Sequence, residues 1–256
     1  MEHTEELMHH IKCKPDDIGR YVILPGDPGR VEKIAAYLDN ARHIQTYREY
    51  NTWTGELDGE KVTVMSTGMG GPSTAIGIEE LKKCGADTLI RVGTCGGVDP
   101  EKIPGSLIIP TGAIRKEGTG REYVPIEYPA VPDFEVVTAL KAAADKLGHS
   151  HSLGVVECKD SYYGQHDPAS MPTEEELLYK WKAWKRAGAV GSEMESATLF
   201  VVASVRRMRA ATVLLLCRNI EREKETGLTD ACWDTSPAIE TAVEAIRTLI
   251  RHDRNG

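Results

Sequence analysis

Asp87-Thr-Leu-Ile-Arg-Val-Gly-Thr-Cys-Gly-Gly-Val-Asp99 is the stretch on which the reading of this chain turns. Thr88 to Val92 is apolar and rich in β-branched residues, entered from Gly85 and left through glycines, which predicts a short buried strand. Arg91 stands inside it. A guanidinium cannot shed its charge by losing a proton, so in a strand interior it needs an anion beside it. A structural Asp or Glu answers that need, and so does a bound ligand. Gly93, Gly96 and Gly97 read as a turn whose backbone N–H groups can approach a ligand closely, with Thr94 and Cys95 among them. In an open α/β sheet, ligands gather at the carboxyl ends of strands. An arginine, a hydroxyl and bare amides at such an end make a site for an oxyanion; Cys95 itself reads as a small buried filler.

The 256 residues, 41% of them hydrophobic, suffice for one large α/β domain or two small ones. No apolar run is long enough to cross a bilayer, and the charged-then-apolar opening of a signal peptide is missing. Cys13, Cys84, Cys95, Cys158, Cys217 and Cys232 lie apart, with no C-x-x-C pair and no His cluster at zinc spacing. They read as free thiols of a cytoplasmic protein. A formal charge of −8 argues against nonspecific nucleic-acid binding. Lys180-Trp-Lys-Ala-Trp-Lys-Arg186 is basic with interleaved tryptophans. On a predicted helix, a solvated face with two buried indoles explains it better than a nucleic-acid groove.

Upstream of the opening stretch, Tyr21 to Leu24 is a first strand, followed by Pro25-Gly-Asp-Pro-Gly-Arg30 and a helix through about Leu38. Strand, glycine turn and helix with an arginine in its first turn form an anion-cradling arrangement, although no Walker loop occurs anywhere. His43 to Tyr50 reads as a second strand, and Trp53 to Leu57 with Lys61 to Ser66 as a hairpin across Asp58-Gly59. A helix from Pro72 to about Cys84 leads into the opening stretch. Downstream, strands are expected at Gly105 to Pro110, Leu153 to Cys158, Ala189 to Gly191 and Ala211 to Cys217. Helices are expected from Asp133 to Leu147, Leu177 to Arg186, Glu193 to about Arg207 and Ala238 to Arg251. Residues 111–132 read as a long surface excursion, Lys159 to Pro168 as a polar, aromatic loop and 218–236 as a long charged loop. Strands and helices alternate without a composition break, so a single three-layer α/β/α domain over 1–256 is the economical answer. Nothing local holds the polar residues 1–20, which are expected to fray or to pack on a neighbouring subunit.

Pro25-Gly-Asp-Pro-x-Arg30, Arg91-x-Gly-Thr94 and Glu193-Met-Glu-Ser196, in that order, resemble the nucleoside phosphorylase family of trimeric or hexameric α/β subunits. Ser66-Thr-Gly-Met-Gly-Gly-Pro-Ser73 extends the resemblance toward the uridine-cleaving branch of that family, and the match runs from about His10 to the last helix. The resemblance implies a mixed, partly barrel-like central sheet. It implies phosphate held by Gly26, Arg30, Arg91 and Thr94, with Arg48 reaching in from a neighbouring subunit. Ribose would be held by Glu195 and Met194 with Glu193 and Thr94, and its 5′ end by His10 across a dimer interface. The base would stack near Tyr162 and be read by Gln165, with His166 as a second contact. Glu49, Met69 and Ser73 stand at the positions where some members hold a potassium ion at the dimer interface. Phosphate would be a co-substrate and no cofactor would be required. The assembly would be at least a dimer, and a hexamer when three dimers combine. One departure stands out: the glutamine is usually followed two residues later by an arginine, and here the run is Gln165-His166-Asp167-Pro168. Purine-specific members usually carry an aspartate near the position where this chain has Asn219.

The chemistry explains these residue types. Phosphorolysis of an N-glycosidic bond places positive charge on the sugar and negative charge on the departing base. Arginines fork onto a multivalent oxyanion and keep their charge. Bound phosphate attacks and also offsets the oxocarbenium-like charge. An ionised Glu195 fixes the ring through its vicinal hydroxyls, while donors around the base, Gln165 first, stabilise it as it leaves. The expected activity is phosphate-dependent cleavage of uridine, or of deoxyuridine, to uracil and the pentose 1-phosphate. The rivals are a purine or broad-specificity phosphorylase, a hydrolytic nucleosidase and a non-catalytic nucleoside-binding oligomer.

Overall fold

In the computed structural model, which describes residues 7–255, strands and helices alternate along nearly the whole chain. β1 (Tyr21–Pro25) is buried at every residue, as a strand covered on both faces must be. A 3₁₀ turn at Pro28–Arg30, capped by the Asp27 carboxylate, leads into α1 (Val31–Ala35). β2 (Asp39–Tyr47), β3 (Tyr50–Leu57) and β4 (Glu60–Met65) form an antiparallel meander. Its second turn sits on Asp58 and Gly59, both at positive φ (49° and 76°), the conformation a tight Asp-Gly hairpin adopts. There follow α2 (Gly71–Lys83), β5 (Thr88–Gly97), β6 (Leu107–Lys116), α3 (Phe134–Leu147) and β7 (His151–Lys159). The chain continues through α4 (Tyr162–His166), α5 (Glu174–Arg186), β8 (Gly191–Glu193) and α6 (Ser196–Val205). It closes with β9 (Arg209–Arg218), α7 (Ile220–Thr226) and α8 (Ser236–Asn255).

The nine strands of the described residues share one sheet in the order β2-β3-β4-β1-β5-β8-β7-β6-β9, and β9 pairs back onto β5 in parallel. Five strands therefore close into a small barrel, and β1 to β4 leave it as an open wing. Closure removes two sheet edges that would otherwise expose unpaired backbone groups. Cys95, Ile108, Val156, Leu214 and Leu216 pack together among the barrel strands. Ile34, Leu140 and Ile246 of α1, α3 and α8 cover one outer face, and Ile78, Leu81 and Phe200 of α2 and α6 cover the other. This is the expected three-layer α/β/α domain around a mixed sheet, and the barrel is its centre. Among the described residues no helix is long and apolar enough to cross a membrane, and all six cysteines are unpaired.

Several segments differ from the sequence reading. β5 does not end at Val92 but runs on to Gly97, so Gly93 to Gly97 continue the strand. Their glycines provide space: a Cβ on Gly93 would stand 2.7 Å from Arg91 Nη2, and one on Gly97 only 2.3 Å from Asn219 Cγ. β6 likewise continues past Pro110 through a register shift to Lys116, so the excursion after it is shorter than 111–132. Arg115 gathers that excursion by donating to the carbonyls of Gly120, Val124, Pro125 and Tyr128. Short helices, α4 and α7, occupy parts of the two expected polar loops. On α5 neither indole is fully buried; both Trp181 and Trp184 are half-buried. Residues 1–6 lie outside the described residues, and the remainder of the N-terminal segment is held by its own chain. Met8, Ile11, Cys13 and Ile18 join the core beneath α2 and α6, and Glu80 accepts from the backbone N–H groups of His10 (2.9 Å) and Ile11 (2.8 Å).

Candidate active site

A cavity of about 1490 Å³ opens where the carboxyl ends of β1, β5 and β7 meet the turn between β8 and α6. Arg91 forms its floor at 5% exposure. Its Nε donates to Glu193 at 3.2 Å and its Nη2 to Glu195. Its Nη1 is buried and has no partner among the described residues, and it faces Gly26, where a Cβ would come within 3.5 Å of it. Both answers to the buried charge are thus present: two structural carboxylates on one side of the fork, and an unsatisfied donor on the other. Burial lowers the Arg91 pKa, but Glu195 and Glu193 outweigh it, so the net shift is upward and the cation is permanent.

Glu193 ends β8 just before α6. Its carboxylate accepts from the backbone N–H groups of Glu195 and Ser196, each at 3.0 Å, which would otherwise be unpartnered at a helix start. Its work is therefore to hold Arg91 and the turn. Glu195 accepts from Gly70 N at 2.6 Å and from Arg91. Burial raises the Glu195 carboxyl above its ordinary value, Arg91 opposes this and Glu193 adds to it. The guanidinium in direct contact favours its charged form. Arg30 is tied more loosely, to Val92 O at 3.4 Å and to Asp27 at 3.9 Å. Burial, then the neighbouring charge of Arg91, lowers its pKa. Two guanidinium groups that repel each other beside an unpartnered N–H call for an anion between them.

Gly26, Arg30, Thr94, Met194 and Glu195 line this end of the cavity with Arg91, and Glu49, Met69 and Ser73 stand at its rim. Tyr162, Gln165 and His166 line the opposite end. The rings of Tyr162 and His166 lie 4.3 Å apart, and partial burial, Lys159 and Arg218 hold the imidazole below its ordinary pKa. Two expected residues are not among the lining. Arg48 is exposed at the β2–β3 turn with its guanidinium over the Tyr47 ring, and His10 Nδ1 lies 2.7 Å from Glu80. Asn219 is not among the lining residues either. Its amide nitrogen donates to Asp99 O and Lys102 O at 2.8 Å each, and its amide oxygen caps α7 by accepting from Arg222 N.

A second polar cluster escaped the sequence reading. Lys159, 3% exposed, reaches the cavity between Gln165 and Ser192. Burial lowers its pKa while Glu157 opposes the shift. Its Nζ donates to Ser192 Oγ at 2.6 Å, and Glu157 sits behind that hydroxyl with no exposed surface. The signal was available: Glu157 and Lys159 are charged residues two apart, on one face of a strand where Val155, Val156 and Cys158 beside them are apolar.

The motif order, the barrel and the paired arginines agree with a direct comparison. Residues 20–251 match the phosphorylase superfamily. The chain belongs to that family. It is 53% identical over 252 residues to a protein of Treponema pallidum named uridine phosphorylase, with 98% of this chain and 97% of the relative covered. A uridine phosphorylase of Thermococcus kodakarensis is 47% identical, covering 84% of this chain and 79% of its own. One from Escherichia coli is 38% identical, with 89% and 91% covered. In this phosphorylase-superfamily chain the arginine-lined end of the cavity is built by β1, β5 and the start of α6, and the other end by β7, α4 and β8.

Proposed function

We propose that this chain is a pentosyltransferase that cleaves uridine by phosphorolysis, releasing uracil and ribose 1-phosphate. The observation that carries the reading is the unpartnered Nη1 of Arg91, aimed at Gly26 beside Arg30 and within one cavity with Glu195. Phosphate fills that gap, held by both guanidinium groups, the Gly26 backbone and Thr94. Its oxygens then lie toward a ribose whose hydroxyls hydrogen-bond to Glu195, with Met194 against the sugar. Charge developing on the ring is offset by phosphate on one face, and fixed donors at the far end receive the departing base. Lys159 is the strongest of them: a cation of lowered pKa, anchored on Ser192, beside Gln165. Tyr162 and His166 form the stacking wall.

Arg48 and His10 complete the site from a second copy, which makes the working unit at least a dimer and accommodates a hexamer of three dimers. At the same rim Ser73 Oγ lies 3.4 Å from Met69 O, and the Glu49 side chain borders the adjoining Gly68. These all-oxygen donors suit a potassium ion, and three are too few for a full shell, so a second copy would supply the rest. The ion would brace the interface and takes no part in the chemistry. We place the enzyme in the cytoplasm, in keeping with its six free thiols. A nucleoside panel in phosphate buffer tests the substrate: uridine should be the best substrate, with deoxyuridine next. A purine nucleoside turned over faster than uridine would overturn the reading.

A further inference from the structure

Ser192 lies on β8 at 3% exposure, and three groups crowd its Oγ. Lys159 Nζ is at 2.6 Å, Glu157 Oε2 at 2.7 Å, and the Gln165 side-chain amide at 2.8 Å through the atom placed as Oε1. A hydroxyl has one proton and two lone pairs to offer. An ammonium can only donate, so Lys159 occupies one lone pair. Glu157 has no exposed surface, and its other oxygen accepts from Lys116 Nζ at 3.1 Å. Facing the Lys116 ammonium on one side and, behind Ser192, the Lys159 ammonium on the other, this carboxyl group accepts, and it takes the Ser192 proton. What remains for the amide is a lone pair. A carbonyl oxygen in that place would set acceptor against acceptor at 2.8 Å. An NH₂ group there makes a third bond and leaves Ser192 fully matched. The oxygen and nitrogen of an amide fill the same volume, so turning the amide over changes no distance.

We propose that Glu157, acting through Ser192, locks the Gln165 amide with its NH₂ group inward and its carbonyl oxygen toward the cavity. The lock makes Glu157 and Ser192 positioning residues that set base specificity. This rests on the reading of the cavity as a uridine site. Uracil presents a ring N–H between two carbonyl oxygens. The Gln165 oxygen accepts from that N–H, and a free N–H of Lys159 donates to an adjoining carbonyl. Cytosine presents a bare ring nitrogen at the same place, which the Gln165 oxygen repels. The donor role that the sequence suggested for Gln165 passes to Lys159.

Glu157→Gln keeps the side-chain volume and removes the obligatory acceptor. The new amide can donate to Ser192, whose proton then turns to Gln165 and allows it to flip. The ratio of kcat/KM for uridine to that for cytidine should fall at least about tenfold, since a buried acceptor is no longer fixed against the wrong base. Ser192→Ala should lower the same ratio, and Ser192→Thr, which keeps the hydroxyl, should preserve it. Equal losses toward both nucleosides in Glu157→Gln and Ser192→Ala would mean a merely structural role and would overturn the proposal. Neutron diffraction from crystals of the deuterated wild-type protein decides the orientation whatever the substrate. Amide deuterons of Gln165 directed at Ser192 Oγ are expected, and a Ser192 deuteron directed at Gln165 would overturn the lock. Were uridine not cleaved at all, the functional reading would fail, and the neutron result would still decide the amide.

Discussion

Arg91 and Arg30 should separate in stability while agreeing in function, because the structure gives them different partners. Arg91 lies between two carboxylates that are each 4% exposed. Arg91→Met leaves both buried without a counter-charge, which costs about 3–5 kcal/mol. Against a total stability of roughly 5–15 kcal/mol for a domain, that loss is large. Among the described residues Arg30 has no ion pair closer than 3.9 Å, and its largest interaction with another charge is repulsion by Arg91. Arg30→Met should therefore change stability by no more than about 0.5 kcal/mol. Each substitution removes a charge-assisted hydrogen bond to phosphate, worth about 1.5–3 kcal/mol. At 1.4 kcal/mol per factor of ten, the phosphate KM should rise roughly tenfold to a hundredfold in both. Urea denaturation gives the first quantity, and initial rates against phosphate concentration give the second. An Arg30→Met enzyme with an unchanged phosphate KM, or an Arg91→Met protein as stable as wild type, would refute the reasoning.

Three further outcomes follow from the same geometry. Lys159 is charged below its pKa, and that pKa is lowered, so kcat should decline on the alkaline side at a pH below that of an ordinary lysine. Lys159→Arg should move the decline to higher pH; a limb that stays in place would exclude Lys159 as its source. Asp253 accepts from Tyr21 and Arg209, and these contacts with Arg20 hold its carboxyl well below the ordinary value. A depressed carboxylate contributes stability above its unfolded pKa and loses it as pH falls through the folded one. Asp253→Asn should therefore lower Tm at pH 7, with the gap to wild type narrowing below about pH 4; a gap independent of pH would contradict this. Asn219→Asp places a carboxylate against two carbonyl oxygens now 2.8 Å from the amide. It should cost about 2–5 kcal/mol by denaturation without turning the enzyme toward purine nucleosides, and a purine preference would show that the residue reads the base after all.

The alternation of strands and helices was legible because each element is bounded by its own punctuation, such as Asp58-Gly59 or the glycines around Thr88 to Val92. The anion end of the site was legible for a related reason. Arg30 follows one recognisable strand within a few residues and Arg91 stands inside the next one in the sheet, so local order places both near the carboxyl ends of neighbouring strands. At the base end Tyr162, Gln165 and His166 were legible, but the polar cluster behind them was not. Glu157 and Lys159 come from β7, Gln165 from α4 and Ser192 from β8, and the parallel pairing of β7 with β8, which sets Glu157 opposite Ser192, brings them together. Glu157 and Ser192 are 35 residues apart in sequence, and the pairing of their strands carries no local signal. The glycines after Val92 misled for a physical reason. Three glycines in five residues read as a turn, but their φ angles are ordinary, and what they supply is room for Arg91 and Asn219. The N-terminal segment looked unsupported because its anchor, Glu80, lies seventy residues away on α2.

The central claim is that the two arginines grip a phosphate that attacks the sugar. Counting ribose 1-phosphate formed against uracil released, in matched reactions with and without inorganic phosphate, tests it most directly. One ribose 1-phosphate per uracil, and no uracil when phosphate is withheld, is the expected result. Uracil released at an equal rate in phosphate-free buffer, with free ribose as the other product, would contradict it.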